Sequence, residues 1–150
     1  MNLGIYVKHL GPSEELDHAV KNINEGITKG LLDDASIFYE SVGNLPREMK
    51  CGCFNSTDVW NFTGRLIVTS IDAAKTVSNV INKFKIYFYY KWGLEKDLIG
   101  LMSVVNNPNV KIICRTPENA KDFYRLTGKT PVATIADFNI TQILGMEEHE

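Results

Sequence analysis

Polar side chains follow each of six short apolar segments, and these side chains are the ones best able to do chemistry in this chain. A histidine imidazole can act as a general base, and an arginine guanidinium can hold a phosphate or carboxylate through two parallel hydrogen bonds. Hydroxyl groups and a lysine complete a set that suits an anionic ligand. The candidate ligand-binding residues are Arg115, Thr116, His9, Ser70, Lys91 and Asp137.

We expect any anion binding to centre on Arg115 and Thr116, where a strand ends and a helix begins. Thr116 is followed by proline, a pair typical of a helix N-terminus, and the free N–H groups there attract anions. A plainer interpretation of Arg115 is a salt bridge to Glu40 or Asp137. His9 is either a general base, with Asp137 as its available acid, or simply a solvated histidine. Solvation alone makes strand ends polar in α/β proteins.

The six apolar segments predict the strands that would position these residues. They alternate with amphipathic stretches, a pattern typical of a three-layer Rossmann-like α/β domain with a mostly parallel six-strand sheet and helices on both faces. In such a sheet the carboxyl ends of the strands meet at one edge, and ligands bind beyond that edge. The predicted strands are residues 3–7, 35–39, 65–69, 85–90, 110–114 and 132–136.

Apolar residues at helical spacing predict helices between these strands. The first helix spans residues 13–29, with Ser13 as its cap and Gly30 as its stop. Another spans residues 73–82 and is capped by Ser70 or Asp72. Further helices are expected around residues 98–105, from Thr116 to Gly128, and from Thr141.

The stretch from 42 to 62 is irregular, apart from one helical turn predicted at residues 57–62. That turn is expected to pack Trp60 and Phe62 under the edge of the sheet. The aromatic segment 87–90 is expected to be core, with Trp92 exposed beyond it. The residues predicted to be buried are Ile5, Val7, Ile37, Ile67, Val68, Phe88, Ile112 and Ile135.

The three cysteines, Cys51, Cys53 and Cys114, are predicted to be free thiols. An odd number of cysteines in a chain without a signal peptide favours a reducing compartment. Cys51-Gly52-Cys53 lacks the spacing of a redox pair, and no histidine lies at metal-ligand spacing. We therefore expect neither a metal site nor a bound cofactor.

Composition describes an ordinary globular protein. The chain has 150 residues and a formal net charge of −2, which gives no reason to expect nucleic acid or an anionic membrane as a partner. We expect one domain over residues 1–145, a frayed tail at 146–150, and a cytoplasmic location. No dinucleotide fingerprint, P-loop or nucleophile elbow is present, so classical nucleotide binding and α/β-hydrolase chemistry are disfavoured.

Two parts of the sequence resemble the N-terminal Rossmann-like domain of GT-B glycosyltransferases. One is the aromatic segment 85–92 with the Leu94-Glu95 pair that follows it. The other covers residues 112–139, where a strand ends in Arg115-Thr116 before a helix and a final short strand ends in Asp137-Phe138. Short forms of this domain are familiar from large tailed phages, so the resemblance also suggests a phage origin and hence the host cytoplasm.

The resemblance implies half of a transferase site. In GT-B enzymes the second domain supplies most of the nucleotide-sugar site, whereas the N-terminal domain carries the acceptor side and sometimes a catalytic base. This chain ends at Glu150, where the second domain would begin. The implied function is a glycosyltransferase-like domain with incomplete catalytic machinery that binds a sugar, nucleotide-sugar or phosphate-bearing ligand, alone or with a partner chain.

Two other functions remain open at this stage. One is a phage accessory protein-interaction module that acts through homodimerisation or by binding a host protein. The other is a small flavodoxin-like enzyme acting on a nucleotide or sugar phosphate. Whether the chain is an enzyme is left open.

Overall fold

The structure, a computed structural model, describes residues 2–11, 14–32, 34–43, 50–79, 84–90, 97–136 and 139–145. Its strands are β1 (Asn2–Leu10), β2 (Asp34–Val42), β3 (Gly52–Asn55), β4 (Gly64–Val68), β5 (Phe84–Tyr90), β6 (Val110–Cys114) and β7 (Ala133–Thr134). Its helices are α1 (Glu14–Thr28), α2 (Ile71–Ser78), α3 (Leu98–Val105), α4 (Pro117–Thr127) and α5 (Ile140–Leu144), with a 3₁₀ helix at Ser56–Asn61.

All the strands that the structure describes pair in parallel, in the order β3-β2-β1-β4-β5-β6-β7. The predicted Rossmann-like α/β architecture is confirmed, but the described sheet has seven strands and not six. The additional strand is β3, which pairs Gly52 to Asn55 with the middle of β2. Its four residues are half-buried or exposed, so this edge strand lacks the apolar segment by which the other six were recognised.

Two layers of apolar side chains cover the two faces of the sheet. On one face Ile5 and Ile37 pack with Ile23 of α1 and Ile143 of α5. The other face of the sheet packs against α2, α3 and α4, each of which contributes buried side chains such as Phe123. Helices therefore lie on both faces, as predicted. The eight residues predicted to be core are each 8% exposed or less.

Strand β5 is buried on both faces, as its unbroken apolar sequence predicts. Tyr87 and Tyr89 belong to one core layer, and Phe88 and Tyr90 to the other. The Tyr89 hydroxyl donates a hydrogen bond to the backbone carbonyl of Ile135, so its buried polar end is satisfied. Trp92 lies outside the described residues.

Helix ends follow the predicted capping residues in most places. Gly30 and Gly128 both have φ near +73°, the left-handed conformation that glycine adopts most easily at the end of a helix. Helix α2 begins at Ile71, earlier than predicted, because the Ser70 hydroxyl accepts from the Ala73 amide and so caps the helix. Asp72 lies in the first turn of that helix. The predicted cap Ser13 lies outside the described residues.

The predicted turn at 57–62 is the 3₁₀ helix at Ser56–Asn61. Phe62 is buried, as expected, but Trp60 is 55% exposed, so the prediction for Trp60 is wrong. A 3₁₀ helix has three residues per turn, which places Val59 and Phe62 on one side and turns Trp60 away from it. Val59 is indeed buried.

The end of the described chain folds back onto the sheet. The guanidinium of Arg65, at the start of β4, donates a hydrogen bond from Nη1 to the carbonyl of Ile143 in α5. Arg65 is only 3% exposed. The tail at 146–150 lies outside the described residues, and none of the helices that the structure describes is long and apolar enough to span a membrane.

Candidate functional site

The order of the strands reverses between β1 and β4. From β1 the chain continues to α1 and β2 on one side, and from β4 it continues to α2 and β5 on the other. Helices α1 and α2 pack on opposite faces of the sheet, so the connections after β1 and β4 diverge. Such a divergence opens a crevice at the carboxyl ends of the two strands, the usual binding position in open α/β sheets. We call it the β1/β4 crevice.

An ion pair joins the two sides of the β1/β4 crevice. Lys8 Nζ, near the end of β1, lies 3.2 Å from Asp72 Oδ2 in the first turn of α2, and the two side chains are 62% and 67% exposed. An ion pair so exposed to water contributes little to stability. Lys8 can therefore exchange Asp72 for a ligand anion at small cost.

Ser70 stands at the start of α2, beside the same crevice. Its hydroxyl oxygen accepts a hydrogen bond from the Ala73 amide at 3.1 Å. The oxygen is thus committed to capping, while its proton can still be donated to a ligand. Ser70 and the first amides of α2 present hydrogen-bond donors at the mouth of the crevice.

His9 belongs to β1, which continues to Leu10 and so extends beyond residue 7, the predicted end of the strand. Its Nδ1 lies 2.8 Å from Ser41 Oγ, and that hydroxyl is 3.4 Å from the Lys8 carbonyl. When Ser41 donates to the carbonyl, it accepts from Nδ1–H, and Nε2 becomes the basic nitrogen. His9 then has the orientation and the free nitrogen that a general base needs.

Two glycines make room for the His9 imidazole. A Cβ atom at Gly11 would lie 2.7 Å from His9 Nε2, and one at Gly43 would lie 3.1 Å from it. Side chains at either position would therefore displace the ring. The amide of Gly43 also donates to the Leu10 carbonyl at 2.8 Å, which ties the end of β1 to the residue after β2.

Arg115 and Thr116 lie at the far side of the same edge. They follow β6, which is separated from β4 by β5. At about 4.8 Å per strand spacing, they are roughly 10 Å from the end of β4 and roughly 14 Å from the end of β1. Thr116 caps α4 by accepting from the Asn119 amide at 3.1 Å.

The described candidates therefore form two groups and not one. Ser70 lies beside the β1/β4 crevice and His9 lies near the end of β1, with its ring bonded to Ser41 on the β2 side, whereas Arg115 and Thr116 lie beyond β5. A small ion cannot contact both groups, although an extended ligand can. The alternative salt bridge between Arg115 and Glu40 is wrong, since Glu40 is on β2, four strands from β6. Lys91 and Asp137, and with them the His9–Asp137 pair, lie outside the described residues.

Sequence reasoning missed the roles of Asp72 and Ser41 at this edge. Asp72 was assigned only to helix capping, although it pairs with Lys8 across the crevice. Ser41 is the register partner of His9 in the β1–β2 ladder. Aligning β1 and β2 by their apolar residues would have shown that Ser41 lies opposite His9. The Lys8–Asp72 pair, in contrast, depends on the position of β4 beside β1 in the sheet.

Cys53 and Cys114 are not poised for nucleophilic chemistry. All three cysteines are free thiols. Burial raises the pKa of Cys114 to about 12, and burial also raises the pKa of Cys53, against a smaller opposing effect of a hydrogen bond with Cys51. A raised pKa keeps the thiol protonated and unreactive at neutral pH. Among the described residues, no group of histidine, cysteine or acidic side chains could hold a metal ion.

Comparison of this chain with protein-family models, with curated proteins and with solved structures found no match. The case for a function therefore depends on the geometry of the strand ends and on the residues that flank them.

Proposed function

We propose that this chain is a glycosyltransferase-like domain that binds a sugar or phosphate-bearing ligand at the carboxyl edge of its sheet. The observation that carries the proposal is the reversal of strand order between β1 and β4. In open parallel sheets this reversal is where ligands bind. The resemblance of residues 85–95 and 112–139 to the N-terminal domain of GT-B enzymes supports the choice of ligand class.

The flanking charges favour an anionic group in the crevice. Lys8 is exposed and held only by its surface ion pair with Asp72. The Ser70 hydroxyl and the first amides of α2 add donors beside it. A phosphate bound here would replace Asp72 as the partner of Lys8 and would accept hydrogen bonds from these donors, while the Asp72 carboxylate would turn to solvent.

The ligand we propose is extended. Arg115 and Thr116 lie roughly 10 Å from the crevice across β5, a distance that a sugar phosphate with further groups, such as a nucleotide sugar, can cover. Arg115 would then hold a second polar group of the same ligand. His9, oriented by Ser41, would accept the proton of a sugar hydroxyl as a general base. A partner chain would supply the remainder of a transferase site.

Titration calorimetry with glucose 1-phosphate and with UDP-glucose tests this function. Lys8→Ala should weaken binding about tenfold to a hundredfold, the effect of losing one charge-assisted hydrogen bond. Lys75→Ala is the matched control, because Lys75 is an exposed lysine in the last turn of α2. Equal affinities of the two variants, or no binding of either compound by the parent, would argue against the proposal.

A second candidate is an interaction module that works through homodimerisation. Leu98 and Ile99, at the start of α3, are 47% and 87% exposed, and an exposed apolar pair of this kind suits a protein contact. If the chain forms a dimer through this pair, Ile99→Ser should dissociate it, whereas Tyr124→Ser on α4, where the side chain is 57% exposed, should not. A monomeric parent in analytical ultracentrifugation would exclude the homodimer.

A further inference from the structure

A second cavity lies at the opposite end of the strands from the β1/β4 crevice. It has a volume of about 480 Å³ and is lined by residues from the early parts of β1 and β2, from β3, and from the 3₁₀ helix and the segment after it. That volume is within the usual range for small-molecule sites. We call it the aromatic pocket; its main lining residues are Phe38, Phe54, Phe62, Ser36, Asp58 and Asn61.

Three phenylalanine rings form the apolar part of the aromatic pocket. The ring of Phe38 has its centroid 6.1 Å from that of Phe54 and 5.5 Å from that of Phe62. Phe38 and Phe62 are buried, whereas Phe54 is 42% exposed. Phe54 thus leaves part of its ring accessible to a ligand, and it packs beside the two buried rings.

Glycines in two strands allow these rings to lie close to the sheet. A Cβ atom at Gly4 would lie 2.9 Å from Phe62 Cζ, and a Cβ atom at Gly52 would lie 2.6 Å from Phe54 Cε2. Both distances are shorter than any normal contact. The aromatic surface therefore depends on the glycines of β1 and β3, which leave space for the rings, as well as on the rings themselves.

Polar side chains with unused hydrogen-bonding capacity surround the rings. Asp58 and Asn61 are three residues apart on the 3₁₀ helix, so their side chains lie on the same side of it. Ser36 approaches the pocket from β2. Within the part of the chain that the structure describes, these three side chains have no hydrogen-bond partner. A carboxylate, an amide and a hydroxyl are thus available to one ligand.

We propose that the aromatic pocket binds a neutral carbohydrate, with the apolar face of one pyranose ring on Phe54 and its hydroxyls on Asp58, Asn61 and Ser36. Among the described residues that line the pocket there is one acid and no base, which disfavours a phosphate. Polar groups approach from both β2 and the 3₁₀ helix, and this arrangement suits a ring with hydroxyls around its perimeter. A nucleobase concentrates its polar atoms along fewer edges and stacks on a ring by its whole face.

The test is an NMR titration of the ¹⁵N-labelled protein with glucose, galactose, mannose and N-acetylglucosamine. At least one sugar should shift the amide signals of residues 54–63 and leave those of Lys8 and Ser70 in place. Asp58→Ala and Asn61→Ala should each weaken that binding, Asp58→Ala by about tenfold to a hundredfold because it removes a charged hydrogen-bond acceptor. Glu118→Ala, which removes an exposed carboxylate from the first turn of α4, should bind as the parent does.

Four results would overturn this inference. They are the absence of binding by all four sugars, shifts confined to the β1/β4 crevice, tighter binding of adenosine or cytidine than of any sugar, and unchanged sugar binding in the Asp58→Ala and Asn61→Ala variants. The inference does not depend on the function proposed for the crevice. Loss of phosphate binding in Lys8→Ala does not bear on sugar binding in the aromatic pocket. Failure of the Asp58 and Asn61 variants to weaken sugar binding does not bear on the ligand proposed for the β1/β4 crevice.

Discussion

His9 Nδ1 lies 2.8 Å from the hydroxyl of Ser41, across the neighbouring strands β1 and β2. The two residues are register partners in the parallel ladder, so the backbone pairing of β1 and β2 places their side chains next to each other. Both side chains are exposed, and an exposed hydrogen bond adds little to stability. Its consequence is a fixed orientation of the His9 imidazole at the carboxyl end of β1, on the side of β2.

Ser41→Ala should change the state of His9 without changing the fold. The imidazole loses the group that fixes its tautomer, so the ¹⁵N chemical shifts of the His9 ring should move toward those of a free imidazole. The free energy of unfolding should change by less than about 1 kcal/mol. Ser78→Ala is the control, since that hydroxyl donates to the Lys75 carbonyl in the last turn of α2, away from His9. An unchanged His9 spectrum would show that Ser41 does not orient the ring.

Gly11→Ala should displace the His9 ring, because the new Cβ would lie 2.7 Å from Nε2. The expected result is the same loss of the His9–Ser41 hydrogen bond in ring ¹⁵N spectra. A double-mutant cycle checks the cause: in a His9→Ala background, Gly11→Ala should cost no stability beyond its usual backbone effect. If Gly11→Ala leaves the His9 signals in place, the ring does not depend on the space that Gly11 provides.

The fold was predictable where burial imposes a period on the sequence. Strands β1, β5 and β6 and the caps at Thr116 and Gly128 follow directly from apolar segments and turn residues. Strand β3 could not be found this way, because an edge strand is held by backbone pairing to β2 and buries little of its own. Trp60 was misplaced since its exposure depends on three residues per turn in the 3₁₀ helix, and the sequence predicts only a helical turn.

Phe88→Ala should destabilise the protein strongly, because Phe88 is fully buried in the central part of the sheet. Loss of the ring and the cavity left behind should reduce the free energy of unfolding by about 3–5 kcal/mol. Phe54→Ala is the matched control on the edge strand, where the ring is 42% exposed, and its cost should be clearly smaller. Urea denaturation measures both. Similar losses for the two variants would contradict the burial described for β5.

The thiols should differ in reactivity and should affect stability at high pH. With a pKa of about 12, only about one Cys114 thiol in ten thousand is ionised at about pH 8, so Ellman's reagent should label it only on unfolding. In denaturant without reductant, three thiols should react.

Burial of Cys114 should also make stability depend on pH. In the unfolded chain the Cys114 thiol ionises near pH 9.0, at a lower pH than in the folded protein, so the free energy of unfolding should fall as the pH rises from about 9 to about 12. Cys114→Ala should lose this part of the pH dependence, and rapid labelling of native Cys114 would contradict its burial.

The sequence predicts which edge of the sheet carries the candidate site, but it does not predict which of the site residues contact one another. A parallel sheet implies that residues after the strands share one edge, and His9, Ser70, Arg115 and Thr116 do so. Which of them are neighbours depends on strand order, because each intervening strand adds about 4.8 Å. The chain order of the strands hides the reversal at β1 and β4, and with it the approach of Lys8 to Asp72.

The most direct test of the central claim is an NMR titration with UDP-glucose that maps where the ligand binds. Ligand in the β1/β4 crevice should shift the amide signals of Lys8, His9, Ser70 and Ile71, with a further group of shifts at Arg115 and Thr116. The same titration of Lys8→Ala should require about tenfold to a hundredfold more ligand. Shifts confined to residues away from the carboxyl ends of the strands, or a complete absence of shifts, would contradict binding at the crevice.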